Sequence, residues 1–285
     1  MTLLRDALLE NVKDEKRVDT YYLPVADWVR QALQANGKRP YFLGISGPQG
    51  SGKSTIASAL TTALPNIGIT TLTFSVDDFY RTHEELETLA KAHPDNPLFQ
   101  VRGFAGTHDV ALGAQVLTAL SSGQPIKIPT YDKSAHDGKG DRAPESKWRV
   151  VNEIANEKID LVIFEGWMLG FHQLPEKALE AGLCASNDLL GAYEAWTKML
   201  DAFVLLQAGD LDFITAWRVD SEQQRRNNGE TTMTDADARA YIERFIPVYR
   251  DYVPELAANP PTREYLKIVL GSDRQPLTMF GTRSG

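Results

Sequence analysis

GPQGSGKS (47–54) fits the pattern G-x-x-x-x-G-K-[S/T], and the rest of the chain is read outward from it. It follows the apolar run YFLGIS (41–46) directly and leads straight into KSTIASALTTAL (53–64). Strand, glycine-rich turn and helix therefore come in the order that a phosphate cradle needs. Glycines let successive backbone N–H groups turn inward around phosphates, and the N-terminal end of the helix adds its positive pole. Gly47, Pro48, Gln49, Gly50, Ser51, Gly52, Lys53, Ser54 and Thr55 are expected to hold the phosphates. Lys53 would reach the β and γ groups and the Ser54 hydroxyl would ligate Mg²⁺. A turn that matches only by chance does not account for the strand and helix on either side. No Asn-Lys-x-Asp guanine reader is present, nor an Asp-x-x-Gly after the second metal strand, so ATP is the expected nucleotide.

Outward from the cradle, GITTLTFSV (68–76), IDLVIF (159–164), DAFVLLQ (201–207) and EYLKIVL (264–270) read as further strands, and QPIKIP (124–129) as a brief one. Helical spacing marks YYLPVADWVRQALQANGKRP (21–40), the stretch 109–120, NDLLGAYEAWTKML (187–200) and DADARAYIERFIPVYRDYV (235–253). The alternation predicts an α/β fold with a doubly wound, mainly parallel sheet of P-loop NTPase type, a helical lid and loop insertions. One kinase-sized domain is expected over 1–285, with an N-terminal helical extension at 1–40, insertions at 81–107 and 130–150, and a lid at 208–233.

The chain has 285 residues, 42% hydrophobic and 24% charged, a globular composition. A formal charge of −8 argues against nucleic-acid binding, which relies on a basic face, so an anionic ligand must be held by local positive charge. Cys184 stands alone and cannot form an internal disulfide. MTLLRDALLENVKDEKR lacks the apolar core and cleavage site of a signal peptide, no transit peptide is seen, and no apolar run approaches the roughly 20 residues that span a bilayer. A cytoplasmic monomer or small homo-oligomer with no membrane partner is expected.

In a doubly wound sheet, chemistry gathers at the carboxyl ends of the strands. Asp77 and Asp78 follow the second strand in SVDDFYRTH (75–83). Asp77 is suited to accept the proton of an attacking hydroxyl and to touch Mg²⁺, while Asp78 is suited to cap the next helix. Glu165, in FEGW (164–167), is the expected metal carboxylate. IPTYDKSAHDGKGDR (128–142) holds Asp132, Asp137 and Asp141 without the alternating ligands and late glutamate of a calcium loop. In DLDFITAWRVDSEQQRRNNGETTMTDADARAYIERF (210–245), Arg218 lies seven residues before Arg225 and eight before Arg226, about two helical turns. Arg218 and Arg225 are the expected catalytic lid arginines, neutralising the transferring phosphoryl. The same arginines would also serve as a solvated face paired with Asp220 and Glu222.

The P-loop, DDFYR, the E-G strand end and the arginine-bearing lid resemble the P-loop metabolite kinases that include uridine kinase, phosphoribulokinase and pantothenate kinase. NPLFQVRGFAGTHD (96–109), PTYDKSAHDGKGDR (129–142) and FEGWMLGF (164–171) are similar to the plant and fungal type of D-glycerate 3-kinase and its kinase-like relatives. The resemblance runs from the P-loop to the lid. It implies ATP as phosphoryl donor, Asp77 as base, Glu165 at the metal, and Arg102, Tyr131 and Lys133 facing the acceptor, with Tyr80 on the same side. The implied reaction is ATP plus D-glycerate giving ADP and 3-phosphoglycerate. Arginine suits a bidentate grip on such a carboxylate. His108 and Asp109 either orient that loop or cap the helix that follows. A nucleoside, pantothenate or a sugar phosphate is the alternative acceptor, and a nucleotide-binding regulator without turnover is the alternative class.

Overall fold

The computed structural model describes residues 1–153, 158–176, 179, 183–230 and 232–282. Among them the strands are β1 (Tyr41–Ser46), β2 (Thr71–Ser75), β3 (Ile126–Ile128), β4 (Tyr131–Asp132), β5 (Asp141–Arg142), β6 (Arg149–Val151), β7 (Leu161–Gly166), β8 (Ala202–Ala208), β9 (Glu264–Leu270) and β10 (Pro276–Thr282). Six of them form one sheet in the order β10-β9-β8-β1-β7-β2. All its pairings are parallel except that of β10 with β9. β1 and β7 are buried along their whole length, as continuous apolar runs covered on both faces should be. Flanking helices complete the expected α/β architecture.

The chain crosses from β1 to β2 and then returns to insert β7 between them. Glu165 consequently stands level with Ile45 on one side and Ser75 on the other. The phosphate loop after β1, the Asp77 turn after β2 and the Glu165 end of β7 are thus brought to one edge of the sheet, where ligands bind in such folds.

QPIKIP is a brief strand as expected, three residues long; β3 pairs antiparallel with β6, apart from the central sheet, and its exposed Lys127 suits a strand that is not covered on both faces. Two elements differ from the sequence reading. The helical pattern at 235–253 forms two helices, Asp235–Glu243 and Ile246–Ala258. Pro247 in the first turn of the second lacks the N–H that a continuous helix would need. β10 is mostly exposed and carries little apolar periodicity, which is why it is not legible as a strand. The N-terminal extension contributes helices Thr2–Val12 and Leu23–Asn36, and the first packs on the phosphate-loop helix Lys53–Ala63. No helix among the described residues is long and apolar enough to cross a membrane.

Candidate active site

The phosphate loop is built by close approach as well as by glycine flexibility. Gly50 has φ 76°, and a Cβ there would lie 2.9 Å from the backbone of Trp217 on the lid helix Leu211–Asn227. Lys53 Nζ donates to the Pro48 carbonyl at 3.0 Å. Burial lowers the proton affinity of this ammonium, while Glu165 and Asp77 oppose the shift. Gln49 N donates to the Tyr249 hydroxyl at 3.2 Å, and the buried Ser51 Oγ has no partner. Ser54 and Thr55 open the helix with exposed side chains. Ser54 Oγ donates to Glu165 Oε1 at 2.8 Å. A hydroxyl and a carboxylate held together supply oxygen donors of the kind Mg²⁺ takes, with phosphate and water completing its shell. Glu165 is 7% exposed, and burial raises its proton affinity against the pull of Lys53.

Gly166 explains the glycine of FEGW. A Cβ at that position would sit 2.4 Å from Val76 Cγ2, so only glycine lets β7 pass the turn that carries Asp77. That turn, Val76–Phe79, is closed at its start by Ser75: the Ser75 hydroxyl accepts from Asp77 N, and Asp78 Oδ2 accepts from Ser75 N at 2.8 Å. Asp78 thus closes the capping box of its own turn, while the following helix His83–Ala92 is capped by Thr82, and Asp77 is left to face the site. Burial pushes the Asp77 carboxyl up, but the Lys133 ammonium and the Tyr80 hydroxyl outweigh it and hold the group at about 2.

Lys133 reaches Asp77 Oδ2 from the acceptor-side loop at 2.5 Å, with its side chain 56% exposed. Arg102 lies over the Tyr131 ring, 5.7 Å from its centroid, and its Nη1 donates to the carbonyls of Gly138 and Lys139. The Tyr131 hydroxyl is buried without a partner. Tyr80 is edge-on to Tyr131, with centroids 5.1 Å apart, and stacks on His108 at 4.4 Å. Asp77, Tyr80, Arg102, Tyr131 and Lys133 thus gather beside the phosphate loop.

On the lid helix, Arg218 Nη2 is 2.6 Å from Glu222 Oε1, and its guanidinium lies 5.0 Å from the centroid of the Tyr241 ring. Arg225 pairs with Glu222 at 3.5 Å and with Glu230 at 2.8 Å. Arg226 pairs with Asp235 at 2.5 Å. Asp220, the other carboxylate expected to pair with this face, is taken by Arg274 at 2.8 Å.

Comparisons with known proteins converge on one family. The profile of the Phosphoribulokinase / Uridine kinase family matches residues 42–177. A curated relative from Schizosaccharomyces pombe, named "Uncharacterized kinase mug58", is 38% identical over 90% of this chain and 98% of its own length. The chain belongs to the phosphoribulokinase/uridine kinase family. The kinase is also 35% identical to "D-glycerate 3-kinase, chloroplastic" of Arabidopsis thaliana, over 93% of this chain but 62% of that protein's length. A solved structure of D-glycerate 3-kinase from Cryptococcus neoformans var. grubii superposes with a TM-score of 0.81 at 30% identity, covering 91% of this chain and 98% of the other. Members of the family transfer phosphoryl groups to hydroxyl acceptors, and ATP-dependent phosphotransfer is the chemistry of this kinase.

Several residues of the kinase site carry little or no local signal. Arg142 donates to the Tyr80 carbonyl through Nη2 at 2.8 Å and Nε at 3.1 Å, and pairs with Asp109 at 3.2 Å. Asp109 also caps the next helix by accepting from Leu112 N at 3.0 Å. Arg274, well after the lid, donates to the carbonyls of Gly50 at 2.6 Å and Trp217 at 3.1 Å, fastening the lid helix to the phosphate loop. Tyr241 is close enough to Asp77, Arg102 and Lys133 for their charges to act on its hydroxyl, whose proton affinity burial raises. GDR after YDKS hinted at Arg142, and Asp109 was legible as a helix cap; Arg274 and Tyr241 are brought in by tertiary contact alone. His108 is buried, its Nδ1 2.8 Å from the Tyr193 hydroxyl, and burial lowers it to about 3. It therefore stays a neutral ring supporting Tyr80.

Proposed function

We propose that this kinase transfers the γ-phosphoryl of ATP to the 3-hydroxyl of D-glycerate, giving ADP and 3-phosphoglycerate. One observation carries the reading: Lys133 is paired with the carboxylate Asp77 and a second cation, Arg102, lies over Tyr131 in the same group of side chains, beside a complete phosphate loop. A small hydroxy acid matches that pattern, its carboxylate attracted to the two cations and its hydroxyl to Asp77. The names of the Arabidopsis and Cryptococcus relatives support the same acceptor.

In this reading residues 47–55 hold the phosphates and Lys53 leaves the Pro48 carbonyl for the phosphate chain. Ser54 and Glu165, with Asp77 nearby, would hold Mg²⁺. The bound ion would neutralise charge on the phosphates. Asp77 accepts the acceptor's proton, since a base within hydrogen-bond reach of the hydroxyl aligns it for in-line attack. Tyr80 and Tyr131 form the aromatic wall of the acceptor site. Arg218 and Arg225 supply lid charge once released from Glu222 and Glu230. Residues 81–107 and 130–150 form the acceptor side and 208–233 the lid of one kinase domain. A cytoplasmic monomer or small homo-oligomer fits a chain with a single cysteine, Cys184.

The test is ADP release with D-glycerate, uridine, pantothenate and ribulose 5-phosphate in turn, with the product identified by NMR. D-glycerate should stimulate release and yield the 3-phosphate. If another acceptor does so, the substrate assignment falls; if none does, the chain acts as a nucleotide-binding regulator.

A further inference from the structure

The resting site is closed by its own charges. Lys133 Nζ sits on Asp77 Oδ2 at 2.5 Å, and the Tyr80 hydroxyl also acts on that carboxylate. Asp77, the carboxylate read as the base, is thus engaged by donors at the point where an acceptor hydroxyl must bind, while Glu165 is held by Ser54. Arg102 is similarly engaged, by the carbonyls of Gly138 and Lys139. Backbone carbonyls are weaker partners for a guanidinium than a carboxylate is, so an incoming acid can displace them. Lys133 is 56% exposed and stands on a flexible stem at the solvent side of the pair, so its ammonium can turn to a second carboxylate without unpacking the core.

We propose that Lys133 is a specificity gate: the carboxylate of the acceptor draws the Lys133 ammonium off Asp77, and only then can Asp77 accept a hydrogen bond from the reacting hydroxyl. The inference rests on the acidic-acceptor reading above and adds to it a way of rejecting neutral alcohols and water. An acceptor without a carboxylate leaves the ion pair intact, whatever its fit to the aromatic wall. Discrimination then comes from a repaired charge pair as well as from direct grip on the acid. No bond other than the usual phosphoryl transfer is made or broken, and the ammonium stays protonated as it changes partner.

Lys133→Met separates this role from simple binding. A residue that only grips the acid, once removed, weakens glycerate turnover and leaves neutral acceptors unchanged. A gate, once removed, also raises turnover of acceptors that lack the acid. ATP hydrolysis by water and phosphorylation of glycerol are therefore measured in the unaltered kinase, in Lys133→Met and in Lys133→Arg. Both rates should rise about fivefold in Lys133→Met, the factor expected from loss of a half-exposed ion pair, and stay low in Lys133→Arg, which restores a cation. D-lactate, which has the carboxylate but no 3-hydroxyl, should stimulate ATP hydrolysis in the unaltered kinase and not in Lys133→Met. Unchanged or lower hydrolysis and glycerol turnover in Lys133→Met overturns the gate. Failure of the unaltered kinase to phosphorylate glycerate overturns the acceptor assignment instead, and the water and lactate arms still decide the gate.

Discussion

Lys133 Nζ lies 2.5 Å from Asp77 Oδ2 although 56 positions separate the two residues, and this contact joins the acceptor-side loop to the catalytic end of the sheet. In the proposed reaction it makes Asp77 the point at which phosphate, metal and acceptor chemistry meet, and the behaviour of several variants follows from that position.

Replacing Asp77 with asparagine keeps the shape of the side chain and removes the base. Turnover with D-glycerate should fall by about a hundredfold or more, in the range of general-base contributions. ATP affinity, measured by calorimetry, should change little because Ser54, Glu165 and Lys53 remain. Equal loss of both would make Asp77 chiefly a metal anchor.

Arg102→Ala and Lys133→Ala should raise the KM for D-glycerate while leaving the KM for ATP nearly constant. Steady-state kinetics with each substrate varied in turn provide the check. Unchanged acceptor kinetics in either variant would remove that residue from the acceptor site.

Gly166→Ala places a Cβ 2.4 Å from Val76 Cγ2 in a packed region. Overpacking of this kind costs about 1–3 kcal/mol, seen as a lower urea midpoint. Adding Val76→Ala should recover part of the loss, since it removes the clashing Cγ2 methyl while the Val76 Cβ, 2.6 Å away, remains. Lack of any coupling between the two changes would show that the turn relaxes elsewhere.

Arg218→Ala leaves the 1% exposed Glu222 with the Met233 N–H at 3.2 Å and, as a cation, only the more distant Arg225 at 3.5 Å. Stability should fall by about 3 kcal/mol, as for other broken buried pairs. Arg225 is 46% exposed and its loss should be close to neutral for stability. Thermal unfolding of both variants distinguishes the two cases, and the kcat of Arg218→Ala is expected to fall further than that of Arg225→Ala.

Asp78 supplies a pH signature of folding. Burial, against the hydrogen bond from Ser75 N, lifts its carboxyl from 3.8 to about 6. The native state thus binds the proton more tightly than the unfolded chain, so stability from this group is full below 3.8 and is lost as pH rises to about 6. Urea unfolding of Asp78→Asn, compared with the unaltered kinase between those values, should lack this downward slope. Parallel curves would place the carboxyl at its ordinary value.

The letters of the chain were enough to place the phosphate loop, four of the parallel strands of the central sheet beside the loop's own, and Glu165 at a strand end, because a strand, a glycine turn and a helix impose local residue patterns and a strand covered on both faces must be apolar. They also marked Asp77 and Lys133 through short motifs. They did not show that Gly166 is required by Val76, that Arg274 fastens Trp217 to Gly50, or that Tyr241 stands near Asp77. Nor did they show β10, whose exposed residues have no periodicity to read. These features depend on which backbones approach one another after the chain has crossed from β1 to β2 and back to β7. Local patterns record what a segment must do within itself; contacts between distant segments are set by packing and charge pairing, and only the tertiary structure decides them.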